Sequence, residues 1–282
     1  MNLLFIVWNV SPFIHRFSAT YGIRWYGVCF AIAFVAAYYV AYYILRKENF
    51  AESTINKIAV VALLGGVIGA RLGHCLFYEP SYYLSNPIKI LHIWEGGMAS
   101  HGGSIGIMLG ILLLVRPELP YRTILARILL VTPLAGVFFR LGNLMNSEIY
   151  GTVTDMPWGF IFVQSHDVLV GAEQAVPRHP TQIYEMICYG SLFVVYLLYC
   201  IRKLKQNEPF SDHFIIGMFG VWVFGGRFLI EFLKMPQVSF EQGLPLNMGQ
   251  WLSLPFILYG LYELYVYREK LLGNKNVHFV SK

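Results

Sequence analysis

The sequence carries little charge: only 13% of its 282 residues are Asp, Glu, Lys or Arg, against roughly 25% in ordinary soluble domains. Hydrophobic residues make up 56% of the chain, and the mean hydropathy is +0.54. A soluble chain of this composition lacks the polar groups needed to cover its surface. The low charge therefore excludes a soluble protein, a disordered chain and a secreted disulfide scaffold, and it predicts an integral membrane protein.

Cysteines are also few, and the sequence contains no CxxC pair. Cys29, Cys75, Cys188 and Cys200 are scattered through apolar runs without paired histidine ligands. Buried cysteines of this kind behave as small hydrophobic residues. We therefore predict no metal site, no structural disulfide and no cofactor.

Seven apolar runs have about the length of a membrane span, roughly 20 residues for a helix. They are continuous rather than alternating, which favours helices over a membrane barrel. The predicted spans are Ile23–Leu45, Ile58–Phe77, Gly103–Val115, Ile124–Asn143, Thr181–Ile201, Phe214–Phe232 and Leu246–Val266. The third is short unless the glycines before it belong to the same helix. We expect an all-α integral membrane protein with seven transmembrane helices and a single domain over residues 1–282.

Basic residues indicate the orientation of these spans. Thirteen Lys and Arg residues, among them Arg116 and Lys282, fall in alternate loops, and only five, among them Lys234, fall in the loops between them. Because cytoplasmic loops carry the excess of Lys and Arg, the N-terminus is predicted outside and the C-terminus inside. The net charge of +5 thus reports topology and does not indicate a nucleic-acid partner.

Two polar or mixed segments are assigned to the outer side. The longest polar stretch, Leu144–Pro180, is predicted to form a small cap over the outer face. The segment Met1–Thr20 has no basic start and is interrupted by Pro12. It is expected to lie at the interface and not to be a cleavable signal peptide.

Three arginines lie within or at the ends of the spans, where a central arginine costs about 2.5–3.5 kcal/mol and needs a partner or a polar cavity. Arg71 follows a glycine-rich stretch and either serves a site or extends towards an interface. Arg227 and Glu231 are four residues apart, so they share one helix face. They form either a self-neutralising packing pair or part of a functional site.

The third arginine belongs to the most informative run in the chain, RLGNLMNSEIYG. This run places Arg140, Asn143, Asn146, Glu148 and Gly151 at the outer end of the fourth span. A guanidinium beside two carboxamides suits a phosphate diester. The glutamate is expected to orient the arginine or a substrate amine. The alternative is a polar helix end capped by asparagines.

Further polar clusters fall near the same outer side. The run WEGGMASHGGSIG frames His101 with four glycines, which makes this residue either a candidate proton acceptor or a structural histidine. The run RHPTQIYE places Gln182 and Glu185 at the start of the fifth span, and RWYG places Tyr26 at the start of the first. Tyr26 is there either an anchor in the aromatic belt or part of the site. Together these groups describe a lipid-accessible polar cavity with arginines for a phosphate. They favour an enzyme or a transporter of an anionic phospholipid over a structural scaffold.

These motifs resemble those of the prolipoprotein diacylglyceryl transferase family. The family signature G-R-x-G-N-x-x-N-x-E-x-x-G is matched from Arg140 to Gly151. The flanking matches follow in family order over nearly the whole chain: Trp25-Tyr26-Gly27, Gly69 to Gly73, Trp94 to Gly106, His179 to Glu185, Arg227 with Glu231, and Met248 to Gln250. The resemblance implies a multi-pass enzyme of the bacterial inner membrane whose active site faces the periplasm, so that Leu144–Pro180 is a periplasmic cap.

The resemblance also implies the reaction. A diacylglyceryl group passes from phosphatidylglycerol to the thiol of the lipobox cysteine in a preprolipoprotein signal peptide, and glycerol phosphate leaves. His101 is then the candidate for thiol activation, and Arg140 and Arg227 are the candidates for holding the phosphate. The expected substrate-binding residues are Tyr26, Asn143, Asn146, Glu148, Gly151, Gln182 and Glu231, the last also orienting Arg227.

Four positions depart from the family pattern. Phe139 stands where a glycine usually precedes the signature arginine, and it is expected to narrow the packing there. Val223 replaces a frequent tyrosine, which shifts the expected proton transfer to His101. Lys234 stands where an arginine is common, and Leu129 replaces a frequent acidic residue.

Overall fold

The protein is described here by a computed structural model that covers residues 5–18, 22–93, 96–115, 120–234 and 245–280, with the backbone alone for 273–280. Trp94 and Glu95 of the run WEGGMASHGGSIG lie outside these ranges, as do Arg116 and Lys282, two of the basic residues counted in the loops predicted to be cytoplasmic. The two ends of the predicted interfacial segment also lie outside them.

The described chain is mainly helical. Its helices are α1 (Trp25–Lys47), α2 (Glu52–Phe77), α3 (Pro80–Ser85), α4 (Ser100–Gly110), α5 (Tyr121–Met145), α6 (His166–Leu169), α7 (Thr181–Lys205), α8 (Asp212–Phe219), α9 (Gly225–Ile230) and α10 (Met248–Val280). A π-helical segment, Ile111–Val115, continues α4, and a second, Gly220–Phe224, joins α8 to α9. Short 3-10 turns cover Pro87–Leu91 and Glu231–Leu233.

Five helical stretches among the described residues are long and apolar enough to cross a membrane. They are α1, α2, α5, α7 and the combined stretch Asp212–Leu233, and each contains most of a predicted span. The third predicted span, Gly103–Val115, lies within the shorter apolar stretch Ser100–Val115, and the seventh, Leu246–Val266, overlaps α10 from Met248 onwards. The expectation of a helical membrane protein is confirmed.

Four short strands, which the sequence patterns did not predict, accompany the helices in the described part of the chain. Strand β1 (Ile6–Trp8) pairs in parallel with β4 (Phe160–Phe162), and β2 (Phe13–Arg16) pairs antiparallel with β3 (Gly22–Arg24). Each strand has only three or four residues. Such short strands leave no alternating pattern long enough to read.

The chain divides into two compact units. The second unit, Tyr38–Ile128, contains α2 to α4. Helices α2 and α4 approach each other closely along glycines: a Cβ placed on Gly102 would lie 2.8 Å from the Cα of Gly73, and one on Gly106 would lie 2.9 Å from the Cα of Gly69. Small residues allow this approach in membrane helices, where packing rather than hydrophobic burial drives association.

The first unit consists of Met1–Ala37 and Leu129–Lys282. Phe139 of α5 packs against Phe30 of α1, with ring centroids 5.2 Å apart, so this side chain fills space that a glycine would leave open. A small core of Leu144, Phe160 and Phe162 supports the end of α5, as expected from apolar burial. The first unit therefore holds the signature run on a packed base.

Candidate active site

The signature run forms a hydrogen-bonded chain at the C-terminal end of α5. The Arg140 guanidinium donates from Nη1 to Oδ1 of Asn143 at 2.9 Å. The Asn143 amide donates in turn to Oε1 of Glu148 at 2.8 Å, and Asn146 reaches the same oxygen at 3.4 Å. Three of the predicted substrate-binding residues are thus brought together beside the arginine. Glu148 is linked to the guanidinium through Asn143.

The backbone around Glu148 is held in an unusual conformation. Ser147 and Ile149 both have positive φ angles, 53° and 61°. Positive φ is costly for a β-branched residue and persists only where neighbours fix it. Thr181 donates to the Ile149 carbonyl at 2.8 Å, and Gln182 donates from Nε2 to the Glu148 carbonyl at 2.7 Å. Gln182, predicted to bind substrate, therefore holds the loop that carries Glu148, while its Oε1 atom is buried without a hydrogen-bond partner.

Arg140 has its direct carboxylate partner on another helix. Glu185, in the second turn of α7, is fully buried, and its Oε2 lies 2.6 Å from Nε of Arg140. Glu185 Oε2 has no hydrogen bond of good geometry, so this contact is an ion pair rather than an aligned hydrogen bond. The sequence predicts that Glu148 orients the arginine or a substrate amine. In the structure, the Arg140 guanidinium pairs directly with Glu185 instead.

Two tyrosines lie beside the guanidinium. The Tyr26 ring of α1 occupies the space next to Gly142, where an added Cβ would lie 2.9 Å from the ring. Its hydroxyl interacts electrostatically with Glu148 and Arg140. Tyr189, one turn after Glu185 on α7, interacts electrostatically with both Arg140 and Arg227. Tyr26 was predicted to belong to the site, and Tyr189 was missed.

Arg227 and Glu231 do not form the predicted pair. In the described part of the chain, Glu231 pairs with Lys234, whose Nζ lies 3.4 Å from Oε2, and not with Arg227. The Glu231 carboxylate also fills the space beside Gly249, where a Cβ would lie 2.7 Å from its Cδ. The expectation of a self-neutralising pair, or of Glu231 orienting Arg227 directly, is therefore wrong, because this carboxylate faces a different cation.

Gly151 lies where three segments meet. Its amide donates to the His179 carbonyl at 2.8 Å, and its backbone is bridged to Lys234. A Cβ at this position would lie 2.8 Å from both Cβ of His179 and Cγ2 of Thr181. Glycine is thus required for close packing, and its predicted contribution to substrate binding stays a prediction.

His179, which precedes the span of α7, begins a short hydrogen-bonded chain. Its Nδ1 is 3.1 Å from the Tyr184 hydroxyl, which accepts from Nε1 of Trp158 at 2.8 Å. Since that hydroxyl oxygen already accepts from the indole, its proton is available to the imidazole. Burial lowers the pKa of His179, which favours the neutral ring.

His101 lies in the second unit and is described within it. It is an exposed residue in the first turn of α4, with its ring centroid 6.0 Å from that of Phe77 and 5.9 Å from that of Tyr78. An accessible imidazole between two aromatic rings is chemically able to accept a proton. Its assignment as the thiol base stays a prediction.

Arg71, also in the second unit, is buried at 3% exposure. Its guanidinium donates to the carbonyls of Lys89, Ile90, Gly96 and Gly97 at 2.5 to 3.2 Å. The Tyr83 ring covers it at 4.9 Å. The suggested extension towards an interface is therefore wrong, and Arg71 holds the segment between α3 and α4.

The pairing of Glu185 and the burial of Lys234 were not predicted from the sequence. Glu185 was noticed in its motif without a partner, and Lys234 was assigned to a loop, whereas it is buried at 7% exposure. One signal was available: Gln182, Glu185 and Tyr189 recur at helical spacing in an otherwise apolar helix, so they share one face. Polar groups aligned on one face of a membrane helix indicate a site inside the bundle.

Comparison with known proteins agrees with the motifs. Residues 12–266 match the prolipoprotein diacylglyceryl transferase family. The chain is 42% identical to the phosphatidylglycerol–prolipoprotein diacylglyceryl transferase of Tolumonas auensis over 258 residues, which cover 91% of this chain and 95% of that protein. It is 40% identical to the protein of the same name from Chloroherpeton thalassium, over 91% of this chain and 92% of that protein. The chain belongs to the prolipoprotein diacylglyceryl transferase family.

Proposed function

We propose that this protein transfers the diacylglyceryl group of phosphatidylglycerol to the thiol of the lipobox cysteine in a prolipoprotein. The observation that carries the proposal is the chain from Arg140 through Asn143 to Glu148, with the buried Glu185 behind the arginine. A guanidinium held in this way offers fixed donors to a phosphodiester. The names of the relatives supply the two substrates.

The reaction is a substitution at an sp³ carbon. The cysteine sulfur attacks the carbon of the diacylglyceryl group that bears the phosphate ester. A C–S bond forms, and the bond between this carbon and the phosphate oxygen breaks. The electron pair leaves on the phosphate oxygen as glycerol phosphate, and the thiol proton goes to a base. Arg140 and Arg227 are proposed to stabilise the added charge on the leaving phosphate, and His101 is proposed to accept the proton.

The remaining site residues are proposed to position the lipid headgroup. Tyr26, Asn143, Asn146 and Glu148 offer hydroxyl, amide and carboxylate groups to the glycerol hydroxyls and the phosphate. Gln182 and Gly151 act through the backbone of the loop that carries Glu148, and Glu231 acts through its pairing with Lys234.

The proposed setting is the bacterial inner membrane. We propose seven spans, with the N-terminus outside and the C-terminus inside, a single membrane domain over residues 1–282, and Leu144–Pro180 as a cap on the periplasmic side. Five span-length helices, the apolar stretch Ser100–Val115 and helix α10 are in line with that count. The distribution of Lys and Arg supports the orientation. The bilayer and the signal peptide of the prolipoprotein are then its partners.

One assay tests the activity. The purified protein is mixed with phosphatidylglycerol vesicles and a lipobox peptide, and the peptide is analysed by mass spectrometry. A thioether-linked diacylglyceryl peptide is expected, and a peptide with Cys→Ser should remain unmodified. Phosphatidylglycerol flux across proteoliposomes with no covalent product would instead support the transporter considered from the sequence, whereas the two relatives described above are both named as transferases.

A further inference from the structure

Lys234 is a buried lysine at the edge of the candidate site. It directly follows the 3-10 turn Glu231–Leu233, and its side chain is only 4% exposed. Its ammonium lies 2.9 Å from Oε1 of Glu185 and 3.4 Å from Oε2 of Glu231. One cation thus joins a carboxylate of α7 to a carboxylate at the end of α9.

The second oxygen of Glu185 belongs to Arg140. This carboxylate therefore lies between two cations, with Lys234 on Oε1 and the Arg140 Nε 2.6 Å from Oε2. Buried charges are tolerated only when they are paired, because removing them from water is costly. The arrangement accounts for the complete burial of Glu185.

The charge balance of this group has a chemical consequence. Arg140 and Glu185 alone would form a neutral pair, which attracts a phosphate weakly. Addition of Lys234 gives the three residues a net charge of +1. Addition of Glu231 and the nearby Arg227, which acts on the shared neighbour Tyr189, again leaves +1. Glu148, joined to Arg140 through Asn143, brings the sum to zero. Without Lys234 the same residues would carry a net charge of −1. Lys234 therefore offsets the carboxylate that holds Arg140 in place.

The same residue also fixes the backbone beside the signature run. Lys234 is bridged to Gly151, and the carbonyl of the preceding Leu233 accepts from the Thr152 amide at 2.8 Å. The lysine thus joins α7, the end of α9 and the loop after Glu148. Its position is set by backbone pairing as well as by charge.

We infer that Lys234 is a positioning residue for the transfer reaction, which keeps the Arg140 guanidinium electrostatically available to the phosphate of phosphatidylglycerol by pairing with Glu185 and Glu231. This inference rests on the proposed function. It assigns a role to a position where the family resemblance leads one to expect arginine. Either cation can neutralise a carboxylate, so charge rather than side-chain identity carries the role.

The test compares Lys234→Met, Lys234→Arg and the double variant Lys234→Met/Glu185→Gln in the full-length enzyme, with Arg202→Ala, an exposed arginine of α7, as the control. KM and kcat are measured separately for phosphatidylglycerol and for the lipobox peptide. For Lys234→Met we expect the KM for phosphatidylglycerol to rise by about 30-fold, as for removal of one partner of a buried charge pair. The KM for the peptide should stay within about twofold.

The double variant separates charge from folding. Removal of the Glu185 charge together with the Lys234 charge returns the net charge around Arg140 to its wild-type value. The KM for phosphatidylglycerol should therefore fall back by about tenfold relative to Lys234→Met. Lys234→Arg should stay within about threefold of wild type. Equal losses for both substrates, or no recovery in the double variant, would overturn the inference. Absence of product from the wild-type enzyme would instead refute the proposed function itself.

Discussion

Two arginines, one in each compact unit, are bound in different ways. Arg71 of the second unit is buried at 3% exposure and directs its donors to four backbone carbonyls. Arg140 of the first unit, whose side chain is 18% exposed, is held by side chains, through an ion pair with Glu185 and a hydrogen bond to Asn143. An arginine bound by carbonyls has a structural role, because loss of those bonds leaves buried acceptors unpaired. An arginine that is oriented by side chains and still partly exposed is available for chemistry.

The largest effect that would test this contrast is on turnover. Arg140→Ala should lower kcat/KM for diacylglyceryl transfer by at least about 100-fold, the scale of losing a donor to developing charge. Folding should survive, because Glu185 keeps Lys234 as a partner. The transferase assay and the melting temperature in detergent check both parts. Near-normal turnover would remove Arg140 from the phosphate site.

His101 tests whether the second unit also contributes chemistry. If this histidine accepts the thiol proton, His101→Asn should slow transfer by about 100-fold, at the lower end of general-base effects. The melting temperature should change little, since the side chain is exposed. The rate is measured with saturating lipid and peptide. A wild-type rate would make the second unit purely structural in this reaction.

Arg71 is expected to affect stability rather than chemistry. Arg71→Ala leaves four carbonyls without their donor and should lower the free energy of unfolding by about 3 kcal/mol or more. Arg71→Lys should recover only part of this loss, because an ammonium cannot reproduce the planar fork of donors. Thermal unfolding in detergent measures both variants. Loss of turnover with an unchanged melting temperature would contradict the contrast.

The glycine contact between α2 and α4 offers a matched pair in one helix. A Cβ on Gly69 would lie 2.8 Å from the Cα of Gly106, whereas one on Gly66 would lie 3.5 Å from the Ile107 side chain. Gly69→Ala should destabilise the protein by about 1–3 kcal/mol through overpacking. Gly66→Ala should be neutral or slightly stabilising, given the higher helix propensity of alanine. Equal melting temperatures would argue against the close approach.

The smallest expected effect concerns pH. The pKa of His179 is lowered by burial, so the unfolded chain takes up a proton at a higher pH than the folded one. Stability should therefore fall as pH decreases through the ordinary histidine range towards this lowered pKa. Protonation also removes the acceptor for the Tyr184 hydroxyl. The decrease in melting temperature from pH 7 to pH 5 should be smaller in His179→Asn, and an identical decrease would exclude this residue as its source.

Much of the fold followed from local patterns in the sequence. Predicted spans such as Ile23–Leu45 and Thr181–Ile201 lie within two to four residues of α1 and α7, because long apolar runs specify membrane helices directly. The chain Arg140–Asn143–Glu148 was also predictable, since its members lie within one run. Local spacing is sufficient for such groups.

The rest depends on pairings between distant segments. Lys234 was assigned to a loop because its charge follows an apolar span, and its partner Glu185 lies 49 residues away. The parallel pairing of β1 with β4 joins two segments that are separated in the sequence by helices α1 to α5. Neither pairing leaves a periodic signal in one sequence, so three-dimensional packing decides them.

The backbone at Gly151 and Thr152 limits the movement of the loop that carries Glu148. The Thr152 amide and hydroxyl both bond to the Leu233 carbonyl, and its own carbonyl accepts from the His179 amide. Any movement that lifts this part of the loop must break these bonds, at about 1 kcal/mol for each. The loop is thus tied both to the turn that follows α9 and to the segment before α7. The rate of hydrogen exchange at the Thr152 amide measures how often these bonds open.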